Sequence, residues 1–323
     1  MSNIDRRQFL ERMLALGGTA LATAAFISLL SCSKEPTPEP PSDNTTPPPQ
    51  PPGDAAYLAV ARGDNPTTLV QRSVDALGGI GRFVKPGNDV IIKPNICGSG
   101  RTPEYATTTN PEVMAALVAL CLGAGAKRVR VMDLPFSGTS NDAYDNSGIA
   151  EAVRAAGGEM EVMTKMKFQD TPIPNGQSIT SCHVYQDILD TDVLIDVPIA
   201  KHHGNTVLTL GMKNLLGVVD DAPSYHTADL SERVVDLNTL VRPHLVVVDA
   251  IRILMNNGPT GGNLNDVKRM NTVIASHDIV AADSYGATLF GKTALDVPIV
   301  RAGARRGLGT MDLSSIKIEE ITA

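Results

Sequence analysis

The 323-residue chain contains no tryptophan, and aromatic residues make up only 4% of it. Stacking platforms for single-stranded nucleic acid are therefore not expected. Positive charge is also scarce. The formal net charge is −7, from 28 Lys and Arg against 35 Asp and Glu. Residues 1–31 hold Arg6, Arg7 and Arg12 against Asp5 and Glu11, so the remainder carries 25 basic and 33 acidic residues. No basic stripe is present, which argues against a binder of phosphate backbones and against a nucleic-acid partner. Cysteine is limited to Cys32, Cys97, Cys121 and Cys182, with no CxxC spacing. The three beyond the amino-terminal segment form no complete disulfide framework. One disulfide or three thiols both fit the count, and thiols are the simpler reading. HExxH, GxGxxG, Walker and GxSxG patterns are missing as well, so no common metal, nucleotide or hydrolase signature identifies a chemistry.

What is present begins at the amino terminus. Asp5-Arg6-Arg7-Gln8-Phe9-Leu10 resembles a twin-arginine export signal, and an apolar, Ala-rich run from Met13 to Leu30 follows it. Leu29-Leu30-Ser31-Cys32 resembles a bacterial lipoprotein box, which makes Cys32 the expected lipidation site. The alternative is a retained membrane anchor, since the run could barely span a bilayer. Residues 33–53, SKEPTPEPPSDNTTPPPQPPG, are too rich in proline for a helix or a sheet ladder and read as a semi-rigid spacer. The expected organisation is a signal over 1–31, a tether over 32–54 and an α/β domain over 55–323. That domain would be membrane-anchored and face the periplasm or the cell exterior.

Within the domain, short β-branched apolar runs alternate with helical patterns. Strands are expected near Tyr57–Ala61, Asp89–Ile92, Val129–Met132, Glu159–Met163, Val193–Val197, Leu245–Val248 and Val273–Ala275, with an edge strand at Ser315–Glu319. Asn65-Pro66 and Asn110-Pro111-Glu112 read as helix starts, with Asn as cap and Pro in the first turn. Other helices are expected from Ser147 to Ala156, over Leu230–Val241, over Ile279–Phe290 and over Ile299–Arg306; Thr206–Val219 fits a buried helix or an extended segment, with the helix preferred. A loop or hairpin fits residues 168–182. This is the signature of an α/β fold with a largely parallel sheet flanked by helices on both faces, as a single domain or two closely packed lobes.

Polar residues recur just past the strands: Lys93 and Asn95, Asp133, Lys201-His202-His203, Asp249, and Ser276-His277-Asp278. In open α/β sheets ligands bind beyond the carboxyl ends of the strands, so these groups are expected to converge on one crevice. Lys93, Lys201 and Lys213 would hold a small anionic ligand. His202 or His226 would move a proton, oriented by Asp133 or Asp249. Asn95, Thr109 beside a helix start, Asn214, and Gly258 and Gly261 of the Asn256–Gly262 loop would shape the pocket. The imidazoles and carboxylates include metal-ligand types, so metal assistance stays open although no metal spacing exists. A non-catalytic protein that binds a solute or a partner is the alternative.

These residues carry a family likeness. Lys93-Pro94-Asn95, Thr108-Thr109-Asn110-Pro111-Glu112, the Asp133 segment, Asp196-Val197-Pro198 through Lys201-His202, and Gly211-Met212-Lys213-Asn214-Leu215-Leu216-Gly217 follow in order. His226, Asp236-Leu237-Asn238, Val248-Asp249-Ala250 and Asn257-Gly258-Pro259-Thr260-Gly261-Gly262 come after them. Over residues 57–308 the chain resembles the bacterial and archaeal "domain of unknown function 362" family. The resemblance implies an α/β fold and no settled reaction. Some relatives carry a ferredoxin-like segment with closely spaced cysteine ligands. This chain has none, so an iron–sulfur cluster is not expected.

Overall fold

A computed structural model describes residues 53–323. The expected export signal, the expected lipidation site at Cys32 and most of the expected tether lie outside the described residues. Among the described residues no helix is long and apolar enough to cross a membrane.

The strands are β1 (Leu58–Arg62), β2 (Asp89–Pro94), β3 (Arg128–Val131), β4 (Glu159–Met160), β5 (Phe168–Pro172), β6 (Ser181–Tyr185), β7 (Val193–Val197), β8 (Ile199–His203), β9 (Val207–Thr209), β10 (Leu245–Leu254), β11 (Val267–Ser276) and β12 (Ile318–Thr322). The α-helices are α1 (Pro66–Ala76), α2 (Pro111–Gly123), α3 (Ser140–Asn146), α4 (Ile149–Ala155), α5 (Gln186–Asp190), α6 (Gly211–Asn214), α7 (Leu230–Leu240), α8 (Ile279–Thr288) and α9 (Pro298–Arg305). Ten strands form one sheet whose main row runs β12-β1-β11-β10-β7-β2-β3-β4, with β8 and β9 attached through β10. Along the row only β11 is reversed, antiparallel to both β1 and β10. The β10–β7, β7–β2, β2–β3 and β3–β4 pairs are parallel. Strands β5 and β6 form a separate hairpin.

Local chemistry accounts for the helix starts. The Asn65 side chain accepts from the Thr68 amide at the head of α1, and Asn110 accepts from the Glu112 amide at the head of α2. The central strands are buried on both faces and split their side chains between two cores. Ile91, Leu194, Val246 and Ile274 enter one core, together with residues of α7, α8 and α9. Val90, Ile92, Val193, Ile195 and Val247 enter the other, together with α1, α2 and α4. This double burial explains why the strands read as continuous apolar runs.

The structure corrects several expectations. Residues 206–219 are not one helix. They form β9, the four-residue α6 and a 3₁₀ turn over Leu215–Val218. The run is buried nearly all round, so it carries no clear period, and the Asp283 carboxylate fixes its turn by accepting from the Gly211 and Met212 amides at 2.6 and 3.0 Å. Ser147 does not open a helix. It closes α3, and Gly148, at φ 71°, breaks the path before α4. The strand near Glu159 is only two residues long. Finally, His277 and Asp278 end the reversed strand β11 and so lie at the opposite sheet edge from Lys93. There the His277 ring packs edge-on against Tyr57, with 4.4 Å between centroids. The Tyr57 hydroxyl donates to Asp278 at 2.7 Å.

Candidate functional site

At the carboxyl end of β2, Lys93 shares a register position with Asp196 of β7. Its side chain is fully buried. The ammonium lies 2.7 Å from Asp133 Oδ1, donates to the Pro94 carbonyl at 2.7 Å and reaches Asn214 Oδ1 at 3.1 Å. Asn214 links the next layer: its amide donates to Asp196 Oδ1 at 2.7 Å, and its oxygen accepts from the Asn95 amide at 2.8 Å. Asn95 Oδ1 in turn accepts from Lys201 Nζ at 2.9 Å, and Lys201 also donates to the Thr107 carbonyl at 2.8 Å. One chain of hydrogen bonds therefore joins the ends of β2 and β8 to helix α6.

These groups line a cavity of about 690 Å³. Lys93, Asn95, Asp133, Lys201, Lys213, Asn214, His226 and Gly258 are all on its wall. Leu134, Leu216, Val219 and Pro259 supply apolar surface, and Phe136, 73% exposed, stands at the rim. Gly217 closes over the ion pair so tightly that a Cβ there would lie 2.0 Å from Asp133 Oδ1. A glycine is required at that point of the Gly211–Gly217 motif.

Four expected site residues face elsewhere. His202 lies on β8 between Lys201 and His203, and alternation along a strand sends it to the opposite face. There its Nδ1 accepts from the Gly258 amide at 3.1 Å. His203, which shares the Lys201 face, lines the cavity instead. Asp249 is buried away from the cavity. Its carboxylate accepts from the Asn110 amide at 2.7 Å and the Ile251 amide at 2.9 Å, so it braces the head of α2 rather than orienting a histidine. Burial pushes its carboxyl up to about 6. Thr109 is a bracket between strand ends: its hydroxyl donates to the Val197 carbonyl at 2.7 Å and accepts from the Asn95 amide at 2.8 Å. Gly261 packs against Thr107 and Leu254, off the cavity wall.

The electrostatics of the cavity are uneven. Burial pushes the Asp133 carboxyl up, opposed by the Lys93 ammonium. Burial, with the Asp283 and Asp133 carboxylates nearby, pushes Asp196 well up, and its Oδ2 has no hydrogen-bond partner. Lys93 and Asp133 balance each other. Among the described residues neither Lys201 nor Lys213 has a carboxylate within ion-pair distance. Burial lowers Lys201, and it lowers Lys213 to about 8, helped by repulsion from Lys201 and Lys93. Burial, with Lys213 and Lys201 nearby, lowers His203 to about 3. His203 is therefore neutral at pH 7, and because Nδ1 accepts from the Asn205 amide at 3.2 Å its proton sits on Nε2. His226 is the complement. Its Nδ1 lies 3.0 Å from the Ala222 carbonyl, an obligate acceptor, so Nδ1 is the donor there and Nε2 is the nitrogen left for a ligand. The two rings stack with centroids 6.3 Å apart. Among the described residues no three His, Cys, Asp or Glu side chains are grouped to hold a metal ion.

Residues 90–288, which contain every element of this wall, match the family described as domain of unknown function (DUF362). The chain belongs to the DUF362 family. This DUF362 protein is 28% identical over 243 residues to the thylakoid-associated protein sll1697 of Synechocystis sp., a match covering 73% of each chain. Among solved structures it resembles the lactate racemase apoprotein of Thermoanaerobacterium thermosaccharolyticum, with a TM-score of 0.47 and 10% identity over 72% of this chain and 56% of that one.

His203, expected only as one of the strand-end groups, lines the cavity, as do Cys97, Asn205, Thr209 and Asp220, to which the sequence assigned no site role. The signal for His203 was the two-residue period through Ile199–His203, legible only once that stretch is assigned as a strand. Cys97 had no local signal, because its neighbours in space come from β8 and the 256–262 loop.

Proposed function

We propose that this DUF362 protein is exported, held at the membrane through Cys32, and binds a small organic anion in the cavity at the strand ends. The observation that carries the binding reading is the pair of lysines, Lys201 and Lys213, that line the cavity with no carboxylate within ion-pair distance of either among the described residues, although Asp133 and Asp220 share the wall. Charges left in that state favour a ligand that brings its own anionic groups. The apolar wall fits a ligand with a carbon skeleton rather than a bare inorganic ion. His226 Nε2 is placed to accept a proton from the ligand, and neutral His203 offers its Nε2–H as a hydrogen-bond donor to a ligand oxygen.

Succinate and inorganic phosphate, titrated calorimetrically, test the reading. Removing one charge-assisted contact costs roughly 1.5–3 kcal/mol, so Lys213→Met is expected to weaken succinate binding by about tenfold or more. Because Lys213 ionises near pH 8, affinity in the unmodified protein is expected to hold below that pH and to fall as pH rises through it. Succinate should bind more tightly than phosphate. No binding of either anion at millimolar concentration, or equal affinity in the variant, would sink the reading.

The anchoring reading rests on Arg6-Arg7 and the Leu29–Cys32 box. In bacterial cells Cys32→Ala is expected to move the protein from the membrane to the soluble fraction outside the cytoplasm. Retention of the variant in washed membranes would show that another segment holds it there.

A further inference from the structure

Cys97 stands apart from the other described cysteines. Cys121 and Cys182 are buried in the cores, where burial pushes their thiols up to about 12 and about 11. Cys97 is part-exposed on the cavity wall. Its thiol is in hydrogen-bonding contact with the Lys201 side chain, lies 3.5 Å from the Pro259 carbonyl as a donor, and feels the charge of Lys213. The backbone that carries it is clamped on both sides: the Ile96 amide donates to Asp133 Oδ2 at 2.6 Å, and the Cys97 carbonyl accepts from the Phe136 amide at 3.0 Å. Lys213, also on this wall, has no hydrogen-bond or ion-pair partner among the described residues and so leaves an ammonium for a ligand beside the thiol.

We propose that Cys97 is a nucleophile of this cavity and that its Sγ adds to an electrophilic carbon of a carboxylate-bearing ligand held by Lys201 and Lys213. This rests on the anion-binding reading above. A cation next to a thiol favours loss of its proton as sulfur attacks, and a fixed anionic ligand raises the local concentration of its own electrophilic carbon. With an aldehyde acid the step is self-contained. The Sγ–C bond forms, the carbonyl π pair moves onto oxygen, and the Lys201 ammonium gives one proton to that oxygen as it takes the thiol proton, so it keeps its charge. The product is a hemithioacetal, and no oxidant or leaving group is needed. Lys201 touches both the thiol and the ligand site, whereas Asn95 positions Lys201 through its Oδ1.

Alkylation of the full-length protein by iodoacetate and by iodoacetamide tests this, with modification at Cys97 read by peptide mass spectrometry and glutathione as the reference thiol. In either alkylation the Sγ–C bond forms as iodide leaves and the thiol proton goes through Lys201 to solvent. The rate ratio of iodoacetate to iodoacetamide at Cys97 is expected to exceed that of glutathione by at least tenfold. Lys213→Met should lower the ratio toward the glutathione value, and succinate should protect Cys97. A ratio equal to that of glutathione, or an inert Cys97, overturns the proposal. If succinate still binds in that case, the anion reading stands and only the nucleophile falls; if it does not, both fall. Charge-selective labelling that saturating succinate fails to block would place the anion away from the thiol and likewise overturn the proposal.

Discussion

Asp133→Ala is expected to lower the stability of the domain by about 3–5 kcal/mol, the usual cost of breaking a buried ion pair from one side. The change strands the Lys93 ammonium, which is fully buried and has only the Pro94 carbonyl and Asn214 Oδ1 left to solvate it. It also removes the acceptor for the Ile96 amide. Asp133→Asn keeps a side-chain oxygen for that amide but not the charge, so it should fall between alanine and the unmodified protein. Changing both partners to apolar residues, Lys93→Met with Asp133→Leu, should cost less than the sum of the single changes, because no lone charge is left behind. Urea unfolding of the four proteins closes the cycle. Strict additivity would mean that the two groups do not interact. The apolar pair must also fit beneath Gly217, whose backbone lies directly over the carboxylate.

Asp236→Ala should cost about 3 kcal/mol, through a different mechanism. Asp236 is fully buried on α7 and gathers the loop between β5 and β6. Its oxygens accept from the Gln177 amide at 2.9 Å, the Ser178 amide at 2.6 Å and the Ile179 amide at 2.9 Å, and the Arg306 guanidinium lies 2.8 Å away. Alanine leaves three amides and a cation to find water, at roughly 1–3 kcal/mol for each group that stays buried. The loop amides are partly solvated, which holds the total near the lower end. Burial raises the Asp236 carboxyl, but the amide and Arg306 hydrogen bonds outweigh it and hold the group below its ordinary range. A depressed carboxylate contributes stability that is fully present above the unfolded-state value, about 3.9 for Asp, and is lost as pH falls through the lower folded value. The difference in stability between the unmodified protein and Asp236→Ala should therefore be constant near neutrality and shrink below about pH 4. A difference that stayed constant into strong acid would contradict this account.

The extent to which the site was legible follows from the same geometry. Lys93, Asp133, Lys201, Lys213 and Asn214 were found by their place at strand ends or in a polar interruption of an apolar run, and the structure brings them to one wall. The choice of His202 over His203 went the other way, because it required knowing that Ile199–His203 is a strand and which face of it the cavity occupies. Asp249 and Thr109 have the residue types of a site but spend their hydrogen bonds on the backbone of the chain itself.

The direction of β11 was hidden for a related reason. Read as short strands near 245–248 and 273–275, β10 and β11 are far enough apart for a helical crossover. Both in fact run ten residues, and the connection that remains, 255–266, contains only a 3₁₀ turn. Without a crossover helix the chain returns antiparallel, carrying His277 and Asp278 to the far edge.

The sequence by itself determined the α/β class, the caps that start α1 and α2, most strand positions, and the residue types able to bind an anion. Those features depend on neighbours within a few positions, where sterics and backbone hydrogen bonding act directly. Tertiary structure decided the reversal of β11, the broken path of 206–219, and which histidine, lysine or cysteine looks into the cavity. Each of those is settled by contacts between segments distant in the chain, such as Cys97 with Pro259, 162 residues apart, and a local pattern carries no record of them.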